Sequence, residues 1–341
     1  MSSEILHHYL DEFLAGRGLT ESDTAAFFDA LIGSPDEPLL AKILLAWEEK
    51  GATEDELFNV ARLMRSRMKT LVHVLPVVVD IVGTGGSRAK TFNISTAAAF
   101  VTAGAGVPVA KHGNRAATSS SGSADVLELL GVKCDVSAEV AARSLNDIGI
   151  CFIFAPRFHS LSPMLAKVRR QLRRPTIFNN LGPLCNPAES QHQLIGVWSK
   201  DILARTARVL ARLGTRRSWI VHSETGLDEI ALQGKTFVAN IDGVSLQQID
   251  VSISDFGTFN GHRPVPSNLT GAESASLIRK ILENKKRGSN SEKLVLMNAA
   301  VAIYLSGKAP TLPAGFAMAT ESIASRAALN KLKALAEATN A

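Results

Sequence analysis

The residues of this chain best placed to do chemistry fall in a few short runs. Gly83-Thr84-Gly85-Gly86 follows directly on the β-branched run 77–82, which is broken only by Asp80. A buried strand there hands over to backbone that can take φ > 0 and approach a ligand closely. Ser95-Thr96 then precedes an Ala-rich run, 97–105, which predicts a helix with hydroxyl residues at its N-cap. Strand, glycine turn and capped helix suit a phosphate, because free N–H groups and the positive end of a helix dipole favour an anion. Lys111-His112-Gly113-Asn114-Arg115 and the row Thr118-Ser119-Ser120-Ser121-Gly122-Ser123 repeat the idea after a second short strand, 106–110. The glycine turn or the serine row alone would be an ordinary loop. With Lys111 and Arg115 beside them, they point to a phosphate-bearing ligand. His159 follows a buried strand, 150–155, and Asp228-Glu229 follows another, 218–222. Residue type alone leaves His159 open to a structural role. It equally leaves the adjacent carboxylates, and the arginines 169, 170, 173 and 174 of a basic helix 163–174, open to being solvated surface.

The elements that must hold these residues alternate. Strands at 77–82, 106–110, 150–155, 193–197 and 218–222 are separated by helices at 97–105, 124–130, 163–174 and 201–213. That order predicts an α/β fold with a mostly parallel central sheet flanked by helices, and in open sheets of this kind ligands bind at the carboxyl ends of the strands. Residues 4–70 read only as helices: Ile5, Leu6, Tyr9, Leu10, Phe13 and Leu14 share one face, and Gly16 and Gly18 end it. Thr20 with Asp23 starts the next helix, which ends near Gly33-Ser34-Pro35. Leu39 opens a third helix to Trp47, and Thr53-x-x-Glu56 is a capping box for a fourth, 54–68. Tyr9, Phe13, Phe27, Phe28 and Trp47 fit a core or a dimer surface. Residues 232–268 read as short strands and turns, 271–283 and 294–305 as helices, and 314–336 as one last helix. The prediction is a small N-terminal helical domain, 1–72, with a mid-chain contribution near 163–190, and a large α/β domain, 73–341.

Composition bounds the rest. The chain has 341 residues, 46% hydrophobic and 20% charged, a balance that excludes intrinsic disorder. A net charge of +5 suits anionic ligands, with nucleic acid the less favoured of them. Cys134, Cys151 and Cys185 have neither disulfide nor zinc spacing and read as packing residues. Polar residues at 4–12 interrupt any signal peptide and no apolar run would span a bilayer, so the expected location is cytoplasmic.

GTGG at 83–86, TFNIST at 91–96, KHGNR at 111–115, SGSADVLE at 121–128, FAPRFH at 154–159, FNNLGPLCNP at 178–187 and GLDE at 226–229 resemble the signatures of the anthranilate phosphoribosyltransferases. The resemblance covers most of the chain. It implies transfer of the phosphoribosyl group from 5-phosphoribosyl 1-pyrophosphate to the amine of anthranilate, with release of pyrophosphate, in tryptophan biosynthesis. It also implies a homodimer through the helical domain and Mg²⁺, two ions per subunit. On this resemblance Gly83, Gly86, Ser87, Thr91, Asn93, Ser95, Thr96, Lys111, Ser119 and Ser123 would bind the donor. Gly83, Asn114, His159, Arg169 and Pro183 would bind anthranilate. Asp228 and Glu229, with Ser95 for the second ion, would hold the metal. The segment 179–187 would be the hinge between domains. No clear general base stands out. Several positions depart from the family pattern: Ser87 where Asp is usual, Ser120 for lysine, Ser160-Leu161 for Pro-Ala, an altered spacing at Arg173-Arg174-Pro175, and Asn180 and Cys185. The alternatives are a phosphoribosyltransferase for another aromatic acceptor and a non-catalytic nucleic-acid-binding relative.

Overall fold

Seven strands form one sheet in the order β3-β2-β1-β4-β5-β6-β7. The computed structural model describes residues 2–87, 89, 91–116, 121–257 and 265–341. β1 is Val79–Gly83, β2 Val109–Gly113, β3 Ile150–Phe154, β4 His192–Gly196 and β5 Arg217–Ser223. These run parallel, with Val79 opposite both Val109 and His192. β6 (Thr236–Asp242) and β7 (Ser245–Val251) extend the sheet as an antiparallel hairpin. The chain steps from β1 outward to β2 and β3, then returns to lay β4 on the other side of β1. Between β1 and β4 the direction of winding reverses, and loops leaving the two strands part to open a crevice.

Helices cover both faces. On one lie α5 (Ile94–Gly104), α6 (Ser123–Leu129), α12 (Gly271–Leu282), α13 (Asn290–Leu305), α14 (Leu312–Ala324) and α15 (Ala327–Asn340), sharing a core with β1, β2 and β5. α13 is buried on nearly all sides, so from 294 to 305 it is apolar all round apart from Asn298. α7 (Ala138–Ile148) closes the β3 edge.

Against the other face pack α10 (Ile177–Leu184) and α11 (Leu203–Arg212). Their core continues into α1 (Ser2–Leu14), α2 (Thr24–Gly33), α3 (Glu37–Lys50), α4 (Glu54–Arg67) and α9 (Pro163–Leu172). The Thr53–Glu56 capping box forms as expected, with the Glu56 carboxylate also accepting from Leu19 N and Lys50 Nζ. Tyr9, Phe13, Phe27 and Trp47 stack with ring centroids 5.1–5.9 Å apart, and all are buried core. The three cysteines are buried and free.

Several boundaries differ from expectation for identifiable reasons. β2 begins at 109 rather than 106, because Pro108 has no N–H to donate and its carbonyl instead receives Val79 N. Pairing with β3 runs on to Gly113, opposite Phe154, so Lys111 and His112 lie inside the strand. α5 begins at Ile94 with Asn93 at its cap position, which puts Ser95 and Thr96 in the first turn and not at the cap. The segment expected as a hinge is largely helix α10, with Pro183 tolerated in its last turn. The expected strand 150–155 ends at Phe154, and Ala155 joins the residues that follow it in a short helix, α8 (Ala155–Phe158). The last helix breaks in two where Arg326 takes φ 64, and the corner packs on Gly104, where a Cβ would stand 2.5 Å from Ala328 N. No Gly or Pro marks that break in the sequence. Among the described residues no helix is long and apolar enough to cross a membrane.

Candidate active site

The crevice between β1 and β4 is built by two close approaches that only glycine permits. A Cβ on Gly196, the last residue of β4, would stand 1.7 Å from the carbonyl oxygen of Asp228, so the carboxylate loop lies directly on that strand end. Gly86 has φ 80, and a Cβ there would stand 2.6 Å from Pro175 Cγ, so the link between α9 and α10 rests on the glycine loop. Thr84 ties the corner together: its N–H donates to Gly196 O at 2.8 Å, its Oγ1 accepts from Trp198 N at 3.2 Å, and its carbonyl accepts from Asn179 Nδ2 at 2.9 Å. The glycine loop is thus not a free nest of amides. Thr84 N is used by the sheet and Gly85 N by the Asp228 carboxylate, which reduces the set expected to cradle phosphate.

One wall carries the charges of the sheet. Lys111 is buried, with Nζ donating to Ile81 O at 2.6 Å and to Ser95 Oγ at 3.2 Å. Burial lowers its pKa while Asp80 and Glu229 oppose the fall. Asp228 and Glu229 are recessed side by side. Desolvation raises both, and repulsion from Asp228 helps push Glu229 up to about 8. Ser87 Oγ donates to Gly226 O at 2.7 Å, clipping the glycine loop to the carboxylate loop. Thr96 Oγ1 is buried without a partner. Asn93 is anchored, its Oδ1 accepting from Ser121 Oγ at 3.0 Å and Ser274 Oγ at 2.8 Å.

The facing wall comes from α8, α9 and α10. The Arg169 guanidinium lies over the Phe178 ring, 5.1 Å from its centroid, with Nε unpartnered and no acidic side chain paired to it among the described residues. Desolvation lowers its pKa to about 10, so it stays charged at neutral pH. A half-buried cation without a counter-ion, stacked on an aromatic face, suits a planar carboxylate. Beside it His159 Nε2 meets His112 Nε2 at 3.2 Å, and His112 Nδ1 lies 3.2 Å from Gly182 O. Burial drops His159 to about 4 and His112 well below its usual value, so both rings are neutral at pH 7.

A single cavity of about 670 Å³ lies between the walls, a size for small-molecule substrates. It is lined by Gly83, Gly86, Ser87, Thr91, Asn93, Ser95, Thr96, Lys111 and Ser123 on the donor side, by His159, Arg169 and Pro183 on the other, by Asn114 just after β2, and by Asp228 and Glu229. Ser119 and Ser120 lie outside the described residues. Arg115, which strengthened the phosphate reading, is already paired with Glu128 and Asp125. Sequence reasoning missed His112 and Asn179, which line the cavity, and Asp80 behind them. Asp80 is fully buried, accepts His112 N at 3.1 Å and is pushed up by desolvation to about 6. A carboxylate inside a β-branched run was the one available signal for it.

The carboxylate pair fits Mg²⁺. Two hard oxygen donors crowded together, with desolvation and repulsion from Asp228 raising Glu229 to about 8, are relieved by a divalent ion. Among the described residues no cluster of three or more His, Cys, Asp or Glu forms a complete metal cage.

Residues 75–329 match the glycosyl transferase family, a/b domain. An anthranilate phosphoribosyltransferase of Rhodopirellula baltica is 43% identical over 323 residues, 94% of each chain. The crystal structure of the anthranilate phosphoribosyltransferase from Thermus thermophilus superposes with a TM-score of 0.86 at 34% identity, covering 98% of this chain and 99% of that one. That from Saccharomyces cerevisiae, in complex with its phosphoribosyl pyrophosphate donor and Mg, gives 0.86 at 28% identity over 98% of both.

Proposed function

The chain belongs to the anthranilate phosphoribosyltransferase family, and we propose on that premise that the crevice between β1 and β4 divides the reaction between its two walls. The enzyme transfers the phosphoribosyl group of 5-phosphoribosyl 1-pyrophosphate to the amine of anthranilate, releasing pyrophosphate, in tryptophan biosynthesis, and it uses Mg²⁺. The donor wall binds pyrophosphate and ribose through Gly86, Ser87, Thr91, Asn93, Ser95, Thr96, Lys111, Ser119 and Ser123. The facing wall binds anthranilate through His159, Arg169 and Pro183, joined by Asn114 just after β2, with Gly83 between the two. Asp228, Glu229 and Ser95 hold two Mg²⁺, which when bound neutralise phosphate charge and stabilise the departing pyrophosphate. The observation that carries this reading is the cavity itself: an uncompensated Arg169 faces a wall with a carboxylate pair and a buried lysine.

The amine attacks C1′ as the bond from C1′ to pyrophosphate breaks, the electron pair leaves with the pyrophosphate oxygen, and the proton shed by the new secondary amine passes to the departing pyrophosphate or to water. Arg169 and Pro183 fix the ring so that the amine meets C1′ in line, and Lys111 offsets the charge that develops on the leaving group. His112 and His159 are neutral, so they add no positive charge beside a ribocation-like centre. We divide the chain into a helical domain, 1–72 with a contribution from 163–190, and an α/β domain, 73–341. The helical domain makes the homodimer, and the enzyme works in the cytoplasm. Anthranilate-dependent pyrophosphate release across a Mg²⁺ titration tests the reading. Donor binding without turnover on anthranilate would redirect it to another aromatic acceptor.

A further inference from the structure

The carboxylate loop is held from behind by one buried side chain. Asn298 on α13 is fully buried in a helix whose neighbouring positions, Met297, Ala299 and Ala300, are apolar. Its Oδ1 accepts from Ile230 N at 3.0 Å, and its Nδ2 donates to Ile230 O at 3.2 Å and to Leu294 O at 2.8 Å. One donor and two carbonyl acceptors around the amide fix its orientation without ambiguity, since the reverse would set like groups against one another. An amide in so apolar a place is costly unless all its bonds are made. Both backbone groups of the residue that follows Asp228-Glu229 are engaged by it. Gly196 lies beneath Asp228, Ser87 bonds Gly226, and Ser223 and Thr236 bond Leu227 and Ala231 from the sheet, whereas Asn298 reaches the loop from the helix layer. α13 also packs on α5, whose first turn carries Ser95.

We propose that Asn298 is a positioning residue for the metal-binding carboxylates. It holds the backbone of Ile230 so that Asp228 and Glu229 sit beside Ser95 and Lys111 on the donor wall. This rests on the assignment of Asp228 and Glu229 to Mg²⁺.

Mn²⁺ bound by the full-length enzyme, with the phosphoribosyl donor present and anthranilate withheld, can be counted by electron paramagnetic resonance without turnover. Asn298→Leu removes all three bonds. Asn298→Asp keeps the shape and the acceptor for Ile230 N but turns an oxygen on two carbonyls. Each should weaken Mn²⁺ about tenfold or more, the scale of losing an outer-shell partner, while KM for anthranilate stays within about twofold. Met297→Ala, a loss of packing on the same helix, should leave Mn²⁺ affinity unchanged at a similar loss of stability. The proposal is overturned if either folded Asn298 variant binds Mn²⁺ as the wild type does, or if Met297→Ala weakens it equally. An Asp228→Asn, Glu229→Gln double variant separates the two layers of the reading. If it loses Mn²⁺ while the Asn298 variants keep it, only the positioning role falls. If it binds Mn²⁺ normally, the metal assignment falls and takes the positioning role with it.

Discussion

The two walls of the crevice are made in opposite ways. On the donor wall nearly every polar group is already satisfied from within: Lys111 by Ile81 O and Ser95, Thr84 by β4 and Asn179, Asn93 by Ser121 and Ser274. What remains unbalanced there is the carboxylate pair, which wants a cation. On the acceptor wall the imbalance is the reverse, a cation over an aromatic ring with no acid to meet it among the described residues. Each wall is thus complete only with a partner of the opposite charge, the metal and its pyrophosphate on one side, a carboxylate on the other. A small aromatic amine bearing a carboxylate is held at its acid end by Arg169, which leaves the amine free to face C1′.

The comparison breaks most sharply at the carboxylates. Asp228→Asn with Glu229→Gln should reduce Mg²⁺-dependent turnover by about a thousandfold or more, the scale of losing charge stabilisation at a leaving group. Pyrophosphate release at saturating substrates measures it, and a loss under tenfold would refute the division of labour. Arg169→Ala should act on the other wall alone. Losing a charge-assisted, bidentate contact worth about 2–3 kcal/mol should raise KM for anthranilate by about a hundredfold while KM for the donor moves little. Arg169→Lys should recover only part of it, because a point charge lacks the planar fork. Equal rises in both KM values would mean the walls are not separate.

A third test concerns the neutral histidines of the acceptor wall. His159 falls to about 4 from 6.5 because burial disfavours the charged ring. The folded protein then refuses a proton that the unfolded chain accepts. His159 costs no stability above pH 6.5; its cost grows as pH falls from there toward about 4 and is constant below. Against His159→Gln, the wild type should lose about 1–3 kcal/mol more over that window. Urea midpoints from pH 7 to pH 4 check it, and parallel curves for the two proteins would show that the ring is protonated in place.

Much of this was legible beforehand, and the parts that were not share a cause. Local patterns placed the glycine turn after β1, the Thr53–Glu56 box and the alternation that makes a parallel sheet. The site residues expected from the family motifs lie around one cavity wherever they are described. The misses came from contacts between segments distant in the chain. Pro108 delayed the start of β2 by withholding a donor, and pairing with Phe152 of β3 drew Lys111 into the strand. Thr84 and Gly85 lost their free amides to Gly196 and Asp228, more than a hundred positions downstream. Arg115 looked like a phosphate ligand until Glu128, on the next helix, was found to hold it. Asn298 sits in an apolar run with nothing nearby to mark it, and only the fold brings Ile230 to its amide.

The smallest effect should come from Ser87, and it sharpens the comparison because the donor wall is built of many such small ties. Its hydroxyl donates from the glycine loop to Gly226 O at 2.7 Å, and it lies close enough to Asp228 to lower that carboxyl's pKa against the pull of burial. Ser87→Ala removes one bond worth about 1 kcal/mol, so the Mg²⁺ needed for half-maximal turnover should rise about fivefold or less. Ser87→Asp instead adds a third carboxylate beside Asp228 and Glu229. Without metal the added repulsion should lower thermal stability, and added Mg²⁺ should restore more stability to this variant than to the wild type. Melting curves with and without Mg²⁺ in the presence of the donor decide it. If Mg²⁺ stabilises both proteins equally, Ser87 lies too far from the ion to be part of its site, and its service is to hold the two loops together.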